Sequence, residues 1–338
     1  MRWRRAVGGL AVAVVVVTLL VYGLGWDDVV STVRTAHPGA LAAALVSGLG
    51  ILALRALVVE RLLGPVAGGA RGGAFAAAYL SGYFARSALP WGRSTGTPIT
   101  AYLLADASDS EFEDNLAVVA AAEGFNALSS IVVAVIGFVA FAATSESEAV
   151  TSIATAIVVV GVAGAVATVA VVAGFNRGIA RSTLLAASVR VEAGLERLPY
   201  VNPGESVLAK RVHGFFDTLR VIQASRRTIA VAFSVAVVSW MFNSLPLYFC
   251  LLAIGVDAPL ALALVCAPLA SFGGVVPLPG GSGGIEVVLT SLLVATLGVS
   301  AGDAGAVAVL YRLTTYWAHL AVTGVVAVIA SVTGFQRL

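Results

Sequence analysis

Gly273-Gly274-Val275-Val276-Pro277-Leu278-Pro279-Gly280-Gly281-Ser282-Gly283-Gly284 interrupts an otherwise apolar run over 259–299. Proline lacks an amide donor and clashes with the preceding turn. Serial glycine raises the entropic cost of helix. No helix is therefore expected to pass through this stretch. The apolar flanks are about 12–16 residues each, shorter than the roughly 20 needed to cross a bilayer alone. Two short helices joined by a broken loop form a re-entrant hairpin, which enters and leaves on one side. Non-helical backbone survives at membrane depth only where it is buried in protein or lines a wet cavity.

A second run, 74–104, is broken in the same manner by Arg86-Ser87-Ala88-Leu89-Pro90-Trp91-Gly92-Arg93-Ser94-Thr95-Gly96-Thr97-Pro98. The composition around both breaks identifies the solvent. Hydrophobic residues make up 59% of the 338-residue chain and charged residues 11%. Mean hydropathy is +0.98. A soluble domain is about 45–50% apolar and about 25% charged. This chain has too little polar surface to cover a body in water. A soluble enzyme, a nucleic-acid binder and a disordered chain are excluded. The net charge of +2 is too small to imply a polyanionic partner.

Full spans are expected at 6–25, 39–59, 115–142, 150–175, 228–254 and 305–332. The fold class is thus an all-α polytopic membrane protein, a single integral membrane domain over 1–338. It has about six full transmembrane helices plus two re-entrant hairpins. Arg2, Arg4 and Arg5 place the N-terminus in the cytoplasm by the positive-inside rule. Both termini are then cytoplasmic in a prokaryotic cell membrane. The acidic Ser145-Glu146-Ser147-Glu148 loop falls outside. Segment 176–227 reads as cytoplasmic amphipathic helices on the anionic inner leaflet.

The order span, hairpin, span occurs twice. A first repeat covers 39–142 with its hairpin at 74–104, and a second covers 228–332 with its hairpin at 259–299. In this layout the hairpins enter from opposite sides, so the halves are inverted. Inverted repeats with paired broken helices are a transporter signature, with the breaks marking the substrate site.

Charged groups inside apolar segments normally face a cavity or a partner. Arg86 and Arg93 lie in the first break, and Glu286 lies two residues beyond the second. Glu123 and Asn126 lie in the third span, with Arg312, Tyr316, Trp317 and His319 in the last. One reading is a shared polar cavity in which Arg86, Arg93 and Arg312 hold phosphate while Glu123 and Glu286 pair or titrate. The other is that the two glutamates pin helices through buried ion pairs. Arg55 reads as a snorkelling or inter-helix residue, and His319 as a packed polar residue. No catalytic triad, metal cluster or nucleotide-phosphate loop is visible. No enzyme activity, cofactor or metal is expected. Cys250 and Cys266 lie in apolar stretches and say nothing of redox compartment.

Pro277-Leu278-Pro279-Gly280-Gly281-Ser282-Gly283-Gly284-Ile285-Glu286 resembles the Pro-x-Pro-Gly-Gly-x-Gly-x-x-Glu signature of the lysylphosphatidylglycerol synthase transmembrane-domain family, which is flippase-like and of UPF0104 type. Tyr311-Arg312-Leu313-Thr314-Thr315-Tyr316-Trp317 is similar to that family's last-span pattern. Ala88-Leu89-Pro90-Trp91-Gly92-Arg93 resembles its first broken motif, and Glu123 falls where the family has an embedded Glu. The chain departs from the pattern where Thr97 follows Gly96, at Thr100, and where Gly124 follows Glu123. No soluble aminoacyltransferase domain is recognised, so lysyl transfer is not implied.

The resemblance implies translocation of lipid between leaflets. The expected substrate is an anionic phospholipid or a lipid-linked sugar. The expected site comprises Arg86, Pro90, Arg93, Glu123, Asn126, Pro277, Pro279, Gly280, Gly281, Gly283, Glu286, Arg312, Tyr316 and Trp317. An ion- or proton-coupled exporter of a small solute is an alternative. So is a non-transporting scaffold for an envelope glycosyltransferase. A homodimer or an envelope-biosynthesis enzyme is an open partner, and nucleic acid is not one.

Overall fold

The computed structural model describes residues 26–89, 91–143, 207–276 and 278–333. The spans expected at 6–25 and 150–175 lie outside them, as does most of 176–227. The described residues contain helices and no strand. They are α1 (Trp26–Thr35), α2 (Pro38–Leu63), α3 (Gly72–Ala88), α4 (Gly92–Asp106), α5 (Phe112–Ala142), α6 (Val207–Ala224) and α7 (Arg226–Ala253). Then follow α8 (Leu260–Ala270), α9 (Gly284–Leu297), α10 (Ala301–Arg312) and α11 (Ala318–Thr333). A π turn, Leu313–Trp317, joins the last two. Five stretches among the described residues are long and apolar enough to cross a membrane: Pro38–Leu63, Phe112–Ala142, Arg226–Ala253, Pro279–Leu297 and Ala301–Thr333.

Local chemistry sets these boundaries. Pro38 starts α2 at a position where its missing N–H costs nothing, and His37 Nδ1 accepts from Ala40 N–H at 3.3 Å. Glu111 and Asp114 form a capping box at the start of α5. Ser300 caps α10 by accepting from Asp303 N–H at 3.1 Å.

The interruptions are narrower than expected. Arg86 is still helical in α3, and α4 already begins at Gly92 and runs through Pro98. The first break is therefore only the stretch between Ala88 and Gly92. A proline in a helix removes one hydrogen bond and strains the turn before it. A helix packed against a neighbour along its length absorbs that loss. Gly96 and Arg86, like Gly82 and Thr100, sit in close contact between α4 and α3. The second break also retains short 3-10 turns, at Ser271–Val275 and Pro279–Gly281. The first continues α8 to Val275, and the second extends α9 into a 19-residue apolar stretch, Pro279–Leu297, longer than the flank expected from sequence.

Helices α3 and α4 pack antiparallel, as do α8 and α9, in which Gly273 lies against Gly284. Asp109 N–H donates to Gly68 O at 3.1 Å, so the first pair starts and ends in one place, just beyond the C-terminal end of α2. The second pair has its base at the other end of α2. His37 N–H donates to Ala253 O at 2.7 Å, and Thr32 Oγ1 donates to Asp303 Oδ1 at 3.2 Å. The two hairpins thus enter the bundle from opposite ends of α2. The last span packs on α2 at Gly48, midway along that helix. His319 Nε2 donates to Gly48 O at 2.7 Å there, and Thr314 O presses on Gly48.

Two apolar cores hold this arrangement. One packs α7, α8, α9 and α10 around Leu247, Leu262, Leu289 and Val307. The other packs α2, α3, α4, α5 and α7 around Leu62, Phe75, Leu104 and Val118. The interface between the hairpin tips is where polar side chains collect.

Candidate functional site

The second tip is fixed from within. Gly280, Gly281 and Gly283 have φ of 61°, 67° and 85°, a region that residues with a Cβ rarely enter. Glu286 is fully buried, and its Oε2 accepts from Gly283 N–H at 2.8 Å. Its Oε1 accepts from Arg312 Nε at 3.0 Å, and Arg312 Nη2 donates to Gly280 O at 2.8 Å. One guanidinium therefore joins the last span to both the carboxylate and a carbonyl of the tip. Pro279 is buried and starts the 3-10 turn, and its carbonyl accepts from Ser282 Oγ at 2.8 Å.

The π turn sets what the last span presents. A π turn inserts an extra residue into the helical repeat and often marks a functional site. Here it places the Arg312 guanidinium 4.3 Å over the centre of the Tyr316 ring. A side chain at Gly280 would run into that ring. Tyr316 Oη donates to Ser87 O at 3.1 Å. Tyr316 thus lies against both tips. Trp317 is half-buried and packs edge-on to Tyr316 with 5.1 Å between ring centres.

The first tip carries the other ion pair. Arg86 and Glu123 meet side-on through two hydrogen bonds, Nη1 to Oε1 and Nη2 to Oε2, the latter 3.0 Å. Their side chains are 21% and 35% exposed, unlike the Arg312–Glu286 pair at 8% and 1%. Trp91 turns the tip with φ of 58°, a strained value for a residue with a side chain. Gly92 follows because a Cβ there would strike Arg86 O.

Between the tips lies a cavity of about 510 Å³. Arg86, Glu123, Asn126, Gly280, Gly281, Arg312 and Tyr316 all line it. Its remaining wall includes Trp91, Phe272, Val275 and Val276, all exposed apolar side chains. Glu286, Pro279 and Gly283 stand behind this lining as the tip's framework, and Trp317 stands behind Tyr316. Pro90, Pro277 and the side chain of Arg93 lie outside the described residues.

The lining also includes residues absent from the expected site, among them Arg55, Tyr83, Trp240 and His319. Arg55 Nη1 donates to Tyr83 Oη at 3.2 Å, and Tyr83 Oη meets His319 Nδ1 at 3.2 Å. His319 Nε2 faces a carbonyl, which only accepts, so Nε2 carries the proton and Nδ1 accepts from Tyr83. Arg55 lies 5.9 Å from the Trp240 ring centre, and Trp240 Nε1 donates to Asn126 O at 2.7 Å. Arg55 is an inter-helix residue that faces the cavity. The helical spacing of Tyr83 to Arg86, and of Tyr316 to His319, carries the signal that would have found two of them.

Membrane-crossing helices, two hairpins from opposite ends and a charged chamber between their tips define a polytopic membrane protein with an internal polar site. Residues 6–323 match the family described as lysylphosphatidylglycerol synthase TM region, and the chain belongs to that family. A UPF0104 membrane protein from Methanothermobacter thermautotrophicus is 29% identical over 133 residues, covering 38% of this chain and 39% of that protein. The chain thus spans well under half the length of this relative.

Proposed function

We propose that the protein moves an anionic phospholipid or a lipid-linked sugar between leaflets through the chamber between the hairpin tips. The observation that carries this reading is the chamber's mixed lining. Ion pairs, amides and hydroxyls are there for a headgroup, and the exposed apolar side chains of Trp91, Phe272, Val275 and Val276 are there for a chain-bearing glycerol or isoprenoid.

The hairpin layout supports the same reading. Hairpins based at opposite ends of α2, with both tips touching Tyr316, fit inverted repeats over 39–142 and 228–332 with re-entrant segments at the bilayer midplane. The Arg312–Glu286 pair holds the second tip rigid. The more exposed Arg86–Glu123 pair faces the headgroup and can exchange its partner for a phosphate. The family is named for the synthase of a lysyl-bearing phospholipid, whose two ammonium groups outweigh its phosphate, and this chain's thinner charge at Thr97 and Gly124 favours a simpler headgroup.

The test is reconstitution of the full chain in liposomes carrying inner-leaflet fluorescent phosphatidylglycerol, with dithionite as the outside quencher. Quenching of inner-leaflet probe above that of empty liposomes supports the proposal. Quenching equal to empty liposomes overturns it.

A further inference from the structure

A chain of hydrogen bonds runs along one wall of the chamber, and its protons all point one way. Arg55 Nη1 donates to Tyr83 Oη at 3.2 Å. Tyr83 Oη donates to His319 Nδ1 at 3.2 Å, and His319 Nε2 donates to Gly48 O at 2.7 Å. A guanidinium only donates and a carbonyl only accepts, so with a neutral ring the order is fixed from end to end. The chain leaves α2 at Arg55 and returns to it at Gly48, about two turns away, after touching α3 and α11. Arg55, Tyr83 and His319 all line the chamber.

The same heavy atoms accommodate a second proton on the ring. With Nδ1 protonated, Tyr83 Oη accepts from both Arg55 and His319, and its own hydrogen turns away. The Tyr83–His319 bond reverses direction, and the bond from Nε2 to Gly48 O stays. The proton passes through the phenol. Tyr83 gives its hydrogen to Nδ1 and takes one back from a hydronium ion in the chamber, which leaves as water. A pin between helices does not require imidazole, since an amide also offers one donor and one acceptor. Imidazole alone offers both and takes up a proton between about pH 5 and 8. Ionisable side chains inside a membrane bundle mark proton and substrate paths.

Helices α2 and α3 and the π turn pack against α11. The titratable and charged groups near His319 are Arg55 from α2, Tyr83 from α3, and Tyr316 from the π turn one helical turn before it, with Arg312 at the head of that turn. Arg86 and Glu123 line the same chamber. A proton and an anionic headgroup that arrive together add no net charge to the bilayer interior. Each therefore favours the binding of the other, by the same factor in both directions.

We propose that His319 is a proton-binding site loaded together with an anionic headgroup, which makes lipid movement proton-coupled. Tyr83 passes the proton between the chamber and the ring, and Arg55 and Gly48 hold both in line. The protonated ring supplies the compensating charge while the anion is in the chamber, and its release on the other side lets the anion go. This deepens the lipid-translocation reading and rests on it for the ligand.

The experiment is calorimetric titration of the full chain in detergent with dihexanoyl phosphatidylglycerol, whose phosphodiester keeps its charge from pH 5 to pH 8. Binding that tightens about fivefold or more from pH 8 to pH 5 is the expected result. His319→Gln keeps a donor for Gly48 O and an acceptor for Tyr83, so a pinning role survives in it, and its binding is expected to be independent of pH. The net-neutral dihexanoyl phosphatidylcholine is expected to show no such tightening with the unaltered chain. Tightening that persists in His319→Gln, or that is lost instead in Glu123→Gln, overturns the assignment. If His319→Gln does not fold, nitrogen-15 NMR carries the test. The chain has three histidines, and His37→Gln with His213→Gln leaves His319 alone. A hydrogen gained by Nδ1 when phosphatidylglycerol is added at fixed pH supports the proposal, and an unchanged ring overturns it. His319-dependent, pH-linked binding without movement in liposomes supports the proton site and overturns the transport reading. Lipid movement that is indifferent to an imposed pH gradient, with pH-independent binding, does the reverse.

Discussion

Tyr316 Oη donates to Ser87 O across 229 residues of sequence at 3.1 Å, while its ring lies against Gly280. One phenol therefore touches both hairpin tips, and it sits on a π turn that cannot slide without moving it. Tyr316→Phe removes the bond and keeps the ring. The expected cost is about 1 kcal/mol of stability, read as a lowered unfolding midpoint in detergent. An unchanged midpoint would remove the bridging role.

Gly280 is held to glycine twice, by its φ of 61° and by the Tyr316 ring. Gly280→Ala is expected to destabilise by more than about 1 kcal/mol. Adding Tyr316→Ala relieves the clash but not the backbone strain, so the double variant should recover only part of the loss. Full recovery would show that the backbone conformation costs nothing.

Glu286 and Arg312 form a buried pair tied to the tip at Gly283 N–H and Gly280 O. Glu286→Gln leaves a buried guanidinium without its carboxylate, and about 3–5 kcal/mol of destabilisation is expected. Arg312→Met combined with Glu286→Gln should be milder than the single change, because no uncompensated charge remains. A single variant as stable as the unaltered chain, by thermal unfolding in detergent, would contradict the framework role.

Arg86 and Glu123 are open to the cavity, and the contrast with the buried pair is the basis of the next expectation. Glu123→Gln should change stability by about 1 kcal/mol or less. Lipid movement in liposomes should nevertheless fall about tenfold or more, the scale of one charge-assisted hydrogen bond. Loss of fold without a selective loss of movement would place Glu123 in the framework with Glu286.

Much of this was legible in the sequence. Apolar runs of spanning length placed α2, α5, α7 and the last span to within a few residues. The Pro/Gly runs marked both hairpin tips, because proline and serial glycine oppose helix wherever they occur. What the sequence overstated was the width of the breaks. The tightness of α4 against α3 through Gly82 and Gly96 keeps Pro98 helical, and that packing depends on a neighbour no local rule contains. The division of labour between the two ion pairs was also hidden. Glu286 and Glu123 look alike as lone acids in apolar segments, and only burial separates the framework pair from the cavity pair. Arg55 was visible as a charge in a span, but its cavity position comes from Tyr83 and Trp240, which lie on other helices.

The most direct measurement is photolabelling of the full chain in nanodiscs with a phosphatidylglycerol that carries a diazirine on its headgroup, followed by peptide mass spectrometry. The account predicts adducts on chamber residues such as Asn126, Trp91 and Arg86. Adducts confined to outward-facing positions such as Val325 and Val328 would contradict it.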